Sequence, residues 1–344
     1  MSFNSIDNKA RKSARLAVLA AALGGAAPAA LAQAATVNYM EVIRSIFYLP
    51  SYIAIEKGYF KEQGIDVKMD TGWGTAKVIP PLMGGQRDIV LLGPESQVYI
   101  ENSPSPDKTK IFCQLTAKDG LLVLSRKKMA PNEFKWAMVK GKDYLDWTNG
   151  TTPQIDSQWV LKKHGIDPQK DLANYITNVA SGNRDSAWIA GKGDFGTFFE
   201  PTASLIEREN KGQVVASIGN EIGPMGFTVF MATDKYIAKN PKVVQGWCNA
   251  IQKAQNFVAS TAPSDLAKLA LPHFMQLDYG LMLSAIKRYQ GLGVWATDVT
   301  YSVPSLTKLQ DIMVAGGVLK AEQRVTYEKV VNRAFSESAR KQAK

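Results

Sequence analysis

Five side chains of this 344-residue sequence could together recognise a flat ring that donates hydrogen bonds. Tyr48, Trp73 and Trp188 carry large aromatic faces, and Glu95 and Glu200 carry carboxylates at predicted strand ends. Aromatic faces offer a large apolar contact of defined geometry, and carboxylates accept hydrogen bonds from ring amines or imides. Because two carboxylates would repel nitrate or a sulfonate, these residues predict a site for a planar heterocycle.

A second set of polar side chains keeps a small organic anion open as the alternative ligand. Hydroxyl and cationic groups could surround a sulfonate or carboxylate: Thr75, Lys77, Ser96, Thr151, Thr152 and Arg184. Most of these hydroxyls could instead cap helices. Four of the five residues in the first set could also have purely structural roles. Trp73 could pack in its loop, Trp188 could lie in a core, and Glu95 or Glu200 could cap a helix or join two lobes.

Apart from Lys77, Arg184 and Trp188, these side chains fall in five segments that follow predicted strands, at residues 45–48, 72–75, 93–96, 149–152 and 198–201. In open α/β sheets, ligands bind outside the carboxyl ends of the strands. Most of the segments also precede a predicted helix N-terminus, where free N–H groups bind polar ligand atoms. The predicted ligand-binding residues are Tyr48, Trp73, Gly74, Thr75, Glu95, Ser96, Thr151, Thr152, Trp188 and Glu200.

Local patterns predict the elements that position these segments. Residues 48–57 have a helical pattern, and Gly64 can end a helix because glycine adopts the left-handed conformation without a Cβ clash. Residues 65–69 alternate apolar and polar side chains, which indicates a strand. Residues 89–92 form a continuous apolar run, which is typical of a buried parallel strand. Units of helix, glycine, aspartate and strand recur in that order at residues 83–89 and 189–195, which favours two similar α/β lobes.

Length and charge bound the class of protein. Residues 1–32 predict a cleaved signal peptide, because four basic residues precede an uncharged run that ends in Ala30-Leu31-Ala32. A retained membrane anchor is the alternative. The net charge is +10 overall and +7 after residue 32, without a Lys/Arg block that would suggest nucleic acid. The remaining 312 residues exceed what one core usually supports, so two lobes are expected.

Cysteine and histidine are rare in this chain. Cys113 and Cys248 lie in apolar patterns, and we expect buried free thiols, although one disulfide is allowed after export. His164 and His273 are far apart in sequence, so a zinc site of histidines and cysteines is not expected. We therefore expect no metal and no cofactor, and a monomer.

The pattern of residues 48–67, together with residues 82–94 and 190–201, resembles the periplasmic solute-binding proteins of ABC importers for sulfonates, nitrate, taurine and thiamine precursors. The resemblance extends loosely over residues 36–335. It implies an α/β, two-lobed periplasmic-binding-protein type II fold, in which each lobe is a mixed sheet flanked by helices. A ligand cleft would lie between the lobes, with hinge strands near residues 121–125 and 227–231.

We expect lobe I to comprise residues 33–124 and 226–344, and lobe II residues 125–225. The resemblance implies a periplasmic carrier that closes on its ligand and delivers it to a permease with its own ATPase, and no enzyme activity. A branch of the family binds thiamine and riboflavin precursors. Two further alternatives are a solute sensor and a pyrimidine-precursor enzyme. Relatives of the enzyme kind use clustered cysteines with iron, and this sequence contains only two separated cysteines.

Overall fold

The computed structural model describes residues 34–343, and the predicted signal peptide lies outside them. The chain forms two mixed sheets flanked by helices, which confirms the predicted α/β, two-lobed architecture. Across residues 34–343, no helix has the length and apolar character needed to cross a membrane.

Five strands form the first sheet: β1 (Ala35–Glu41), β2 (Ile65–Thr71), β3 (Ile89–Leu92), β4 (Thr109–Gln114) and β10 (Val229–Thr233). Their spatial order is β2-β1-β3-β10-β4. β1 is parallel to β2 and β3, whereas β10 is antiparallel to β3 and β4. All four residues of β3 are buried, as the apolar run predicted, but the strand is parallel to β1 alone and antiparallel to β10.

The second sheet contains β5 (Leu122–Ser125), β6 (Asp143–Leu145), β7 (Asn174–Ile176), β8 (Phe195–Phe198) and β9 (Gln213–Ser217), in the order β7-β6-β8-β5-β9. β6 is parallel to β7 and β8, and β5 is antiparallel to β8 and β9. The chain crosses between the sheets at residues 115–121 and 223–228. These two connections are hydrogen-bonded to each other, for example from Thr228 N–H to Thr116 Oγ1 at 2.9 Å.

Fifteen helices are present in the described part of the chain. They are α1 (Leu49–Glu56), α2 (Tyr59–Glu62), α3 (Ile79–Met83), α4 (Glu95–Asn102), α5 (Thr152–Lys163), α6 (Arg184–Ile189), α7 (Thr202–Arg208), α8 (Ile218–Ile222), α9 (Asp234–Lys239), α10 (Pro241–Ser260), α11 (Pro263–Ala270), α12 (Tyr279–Leu292), α13 (Val303–Ala315), α14 (Tyr327–Val330) and α15 (Ala334–Gln342). Short 3-10 turns occur at Ile46–Tyr48, Thr75–Lys77, Trp136–Val139, Ser181–Asn183, Leu271–His273 and Ala321–Gln323.

The segment after α1 has the backbone conformation that its glycine residues predict. Gly58 and Gly64 both have positive φ, at 71° and 69°, and they delimit α2 before the chain enters β2. Left-handed backbone favours glycine because it has no Cβ. Tyr52 and Ile53 of α1 are fully buried, so the helix packs its predicted apolar side into the first lobe.

The prediction of free thiols is wrong. Cys113 of β4 and Cys248 of α10 form a disulfide, with their Cα atoms 6.0 Å apart. Both residues are fully buried, as expected. The patterns around each cysteine report burial, but they do not show that α10 packs against β4. The bond therefore ties the helical C-terminal part of the chain to the first sheet.

Candidate functional site

A cavity of about 250 Å³ lies between the two sheets, at the ends of the strands where the sequence placed a ligand site. Six of the ten predicted site residues line it: Tyr48, Trp73, Gly74, Thr75, Glu95 and Thr151. These residues come from the connections after β1, β2, β3 and β6. The convergence of separate strand ends on one cavity is what the α/β topology dictates.

Aromatic rings form much of the cavity wall. Phe199, which follows β8, stacks against Phe47 with ring centroids 5.2 Å apart and an interplanar angle of 18°. Trp147 lies 5.2 Å from Phe199 in a tilted arrangement, and Phe227 meets Phe199 edge-on at 6.0 Å. Trp147, Phe199 and Phe227 all line the cavity. Rings held by one another in this way make a rigid apolar surface.

The sequence analysis did not include Trp147, Phe199 or Phe227 among the site residues. Phe199 lies within the predicted segment 198–201, and Trp147 lies two residues before the segment 149–152. Phe227 lies within the second connection between the sheets, at residues 223–228. The available signal was their position next to strand ends, but strand-end position alone does not show which way a ring points.

Trp73 stands at the open edge of the cavity. Its φ of 55° is unusual for a bulky residue, and its side chain is 48% exposed. A Cβ at Gly182, in the second lobe, would lie 3.9 Å from the Trp73 ring. Trp73 also lines an adjoining cavity of similar volume, together with Trp147 and Phe199. The indole therefore reaches from the first lobe to the second beside both cavities.

Glu95 forms a contact between the lobes. As the first residue of α4, it accepts hydrogen bonds from the hydroxyl and the backbone N–H of Thr152, the first residue of α5. Tyr99 of α4 donates a second bond across the cleft, to the Gly150 carbonyl at 3.0 Å. The N-terminus of a helix favours negative charge, so the Glu95 carboxyl occupies the place on α5 where an external anion would be stabilised. We call the Glu95–Thr152 contact the clasp.

The clasp is dry. Glu95 and Thr152 are 2% and 0% exposed. Burial raises the pKa of Glu95, an effect that hydrogen bonds from Thr152 partly oppose. At Gly93 a Cβ would collide with the Glu95 carboxyl and the Thr152 hydroxyl, at 2.1 and 2.4 Å. Glycine at position 93 is therefore required for the two lobes to meet here. Ser96 is buried behind the clasp and does not line the cavity.

Trp188 does not belong to the site. It is fully buried in the second lobe, where its Nε1 donates to the Lys211 carbonyl at 3.0 Å and its ring meets Phe198 edge-on. Trp188 therefore lies outside the cavity, in the core position that the sequence kept open as its alternative. A helix that packs a tryptophan into a core and a helix that presents it to a ligand cleft have the same sequence pattern.

Arg184 is also removed from the cavity, which weakens the anion alternative. Its guanidinium is buried, donates to the carbonyls of Asp146 and Thr197, and lies 4.4 Å from the Trp147 ring centroid. Burial lowers the pKa of Arg184 to about 10, an effect that Asp146 opposes. Among the residues that line the cavity, Lys77 is the one cation and Glu95 the one acid.

Glu200 is held by scaffold contacts. Its carboxylate is fully buried and accepts bonds from Ser204 N–H at 2.9 Å, Ser204 Oγ at 2.8 Å and Arg288 at 2.5 Å. Its backbone carbonyl accepts a bond from Ser45 of the first lobe at 2.5 Å. Glu200 lines the adjoining cavity but not the one that contains Glu95. It fits the lobe-contact alternative, since its backbone carbonyl accepts from the first lobe and its carboxylate is bound by Ser204 and Arg288, away from the cavity that contains Glu95.

The described residues contain no cluster of three or more His, Cys, Asp or Glu side chains that could hold a metal ion. The chemistry available in the cavity is thus apolar contact with several rings, hydrogen bonding to Glu95 and Thr151, and one lysine at the wall. The geometry is suited to holding a small molecule between two lobes.

Comparisons with known proteins agree with this geometry. The model of the family described as "NMT1/THI5 like" matches residues 47–263. The chain is 35% identical over 301 residues to YtlA of Bacillus subtilis (strain 168), named as a binding protein, covering 88% of this chain and 89% of YtlA.

Two solved structures share the fold. The alkanesulfonate-binding protein SsuA from Xanthomonas axonopodis pv. citri, bound to MOPS, superposes with a TM-score of 0.70 at 16% identity. The match covers 88% of this chain and all of SsuA. The periplasmic nitrate-binding protein NrtA from Synechocystis PCC 6803 gives 0.69 at 16% identity, over 89% and 88% of the two chains.

Proposed function

Because the chain belongs to the NMT1/THI5-like family, we propose that it is the solute-binding component of an ABC import system. We further propose that it captures a small planar heterocycle that donates hydrogen bonds, of the kind found in thiamine or riboflavin precursors. The protein would act in the periplasm, after export directed by residues 1–32, and would deliver its ligand to a membrane permease with an ATPase. The observation that carries the ligand class is the clasp.

The clasp favours a hydrogen-bond donor over an anion. An anion could use the N-terminus of α5 only by displacing the Glu95 carboxyl, with which it would also compete electrostatically. Glu95 already accepts from Thr152 there. A carboxylate still has acceptor capacity for further donors, so ring amines or imides can add to the clasp without breaking it.

The aromatic wall supports a flat, largely apolar ligand. Tyr48, Trp147 and Phe199 are buried or nearly so and are supported by other rings, whereas Trp73 stands at the edge. A planar ring placed against these faces would lose water from both sides. Lys77 is the remaining charged wall residue, and one exposed ammonium is a weak basis for selecting nitrate or a sulfonate.

Capture would follow from lobe closure. The clasp, the bond from Tyr99 to Gly150 and the approach of Trp73 to Gly182 all join the two lobes around the cavity. A ligand that contacts both sides binds better to the closed form than to the open one. It therefore shifts the population toward closure by the ratio of its two affinities.

The proposal is tested by titration calorimetry of the purified protein with four probes: a 4-aminopyrimidine, riboflavin, taurine and nitrate. We expect binding of at least one heterocycle and no measurable binding of the two anions. Glu95→Gln should weaken heterocycle binding about tenfold or more, because the amide replaces one acceptor oxygen by donors that face ligand N–H groups.

The matched control is Glu322→Gln, an exposed glutamate on the far 3-10 turn, which should leave the affinity unchanged. Binding of taurine or nitrate that becomes tighter in Glu95→Gln would overturn the proposed ligand class. Mass spectrometry of small molecules released from the purified protein would provide an independent identification.

A further inference from the structure

Two carboxyl groups face each other in the interior, outside the cavity. Asp119 and Asp156 are 1% and 0% exposed. The Asp119 Oδ1 atom accepts from the Leu121 N–H at 2.7 Å. Within residues 34–343, no N–H or O–H group reaches Asp119 Oδ2 or either oxygen of Asp156. The two carboxyl groups lie within hydrogen-bond reach of each other.

The charged groups around Asp119 and Asp156 do not neutralise the negative charge of the pair. The titratable and charged groups that interact with the two aspartates come from five other elements or connections: Glu95, Asp146, Tyr289, Tyr301 and Lys308. Only Lys308 of α13 is a cation, and its ammonium donates to the carbonyls of Ile222 and Pro224. The electrostatic surroundings of the pair are therefore mainly acidic.

Two ionised carboxylates that are buried in contact, without a hydrogen-bonded cation, are strongly unfavourable, so one of them must retain a proton. A protonated carboxyl also supplies the donor that the unpaired oxygens lack. Burial raises the pKa of Asp119 to about 7. Burial and the neighbouring Asp119 raise the pKa of Asp156 well above its usual value.

The pair connects the inter-lobe crossing to the clasp. Asp119 lies in the connection between β4 and β5, where the chain passes from one sheet to the other. Asp156 lies on α5, four residues after Thr152. Residues at positions i and i+4 share one face of a helix. One face of α5 therefore carries both the clasp residue and the carboxyl that meets the crossing segment.

We propose that Asp119 and Asp156 share one proton at neutral pH, which holds α5 against the inter-lobe crossing and so favours the closed conformation. At alkaline pH the proton passes to solvent and leaves two carboxylates that repel each other. The movement of α5 then withdraws Thr152 from Glu95. This effect of the shared proton on closure does not depend on which ligand binds in the cavity.

The direction of the pH dependence follows from the raised pKa values. Unfolded aspartates ionise near pH 4, so the stabilising effect of the shared proton is complete below that pH and is lost as pH rises through the raised pKa values of the pair. The expected unfolding midpoint of the wild type falls by about 4 °C between pH 5.5 and 8.5. In Asp156→Asn, an uncharged amide can donate to Asp119, so the midpoint should change much less over this range.

Three measurements test the proposal without any ligand. Infrared spectroscopy of the wild type at pH 7 should show the C=O band of a protonated carboxylic acid, and Asp156→Asn should lack it. Thermal unfolding across pH 5.5 to 8.5 should give the two profiles described above. Small-angle scattering should give a radius of gyration that increases above pH 8 in the wild type and stays constant in Asp156→Asn.

The control variant is Asp265→Asn, which removes an exposed carboxylate that pairs with Lys268. It should keep the wild-type carboxylic acid band and the wild-type pH profile. Absence of the band in the wild type would overturn the shared proton, even if Asp156→Asn fails to fold. A band that titrates without any change in radius of gyration would overturn its link to closure. Because no probe ligand is used, failure here is distinct from failure of the proposed ligand class.

Discussion

Replacement of Glu200 by glutamine separates a scaffold role from a ligand-binding role. In the structure, the Glu200 carboxylate accepts two bonds from Ser204 and one from Arg288, and it is fully buried. Glutamine keeps the size of the side chain but removes the charge and turns one acceptor oxygen into a donor. One of the groups that now donate to the carboxylate would lose its partner.

The expected loss of stability is about 2–3 kcal/mol. Removal of one member of a buried ion pair costs about 3–5 kcal/mol when the other charge is left unpaired. Arg288 is only partly buried and retains a second carboxylate, Glu207, at 2.5 Å, so the lower figure applies. For a chain of this length, about 2 °C per kcal/mol corresponds to a fall in unfolding midpoint of about 5 °C.

Urea unfolding at pH 7 measures the change. The matched control is Glu209→Gln, an exposed residue at the end of α7, for which we expect a change within about 0.5 kcal/mol. A double-mutant cycle with Arg288→Met should give a coupling energy of about 2 kcal/mol. Unchanged stability of Glu200→Gln, together with altered affinity for a heterocycle, would refute the scaffold role and restore Glu200 as a ligand-binding residue.

Two further changes have clear expected outcomes. Trp73→Ala should weaken binding of a heterocycle about tenfold or more by calorimetry while the unfolding midpoint stays unchanged, because the ring is half exposed in the protein alone. Unchanged affinity would remove Trp73 from the site. Replacement of both Cys113 and Cys248 by serine should lower the free energy of unfolding by about 4 kcal/mol, because the cross-link spans 135 residues. If added reductant leaves the wild-type unfolding midpoint unchanged, this expectation fails.

Many helices and strands could be predicted from the sequence, because their signals are local. Gly64 has the left-handed backbone that its position after a helix predicted, and β2 begins at the next residue. Pro80 and Pro81 lie in the first turn of α3, where proline is tolerated. Residues 327–335 are divided between α14 and α15, with Val331 in an extended conformation between them. The family resemblance drawn from residues 48–67 is confirmed by the matching family model.

The candidate site could be predicted only as a set of loops. The α/β topology brings the strand ends together, so the sequence alone could place Tyr48, Trp73 and Glu95 near one another. The orientation of each side chain depends on its neighbours in space. Trp188 and Arg184 point into the second lobe, although their spacing would also have suited a cleft.

The sequence by itself determined the periodic elements, the turns that need glycine or proline, and membership of the family. Each of these depends on backbone preference or on burial patterns within a few residues. Tertiary structure alone decided that Glu95 meets Thr152, that Cys113 bonds to Cys248 and that Asp119 faces Asp156. These pairs are separated by 37 to 135 residues. Their formation depends on how complete lobes and helices pack, because burial patterns along the chain do not identify the partner of a buried group.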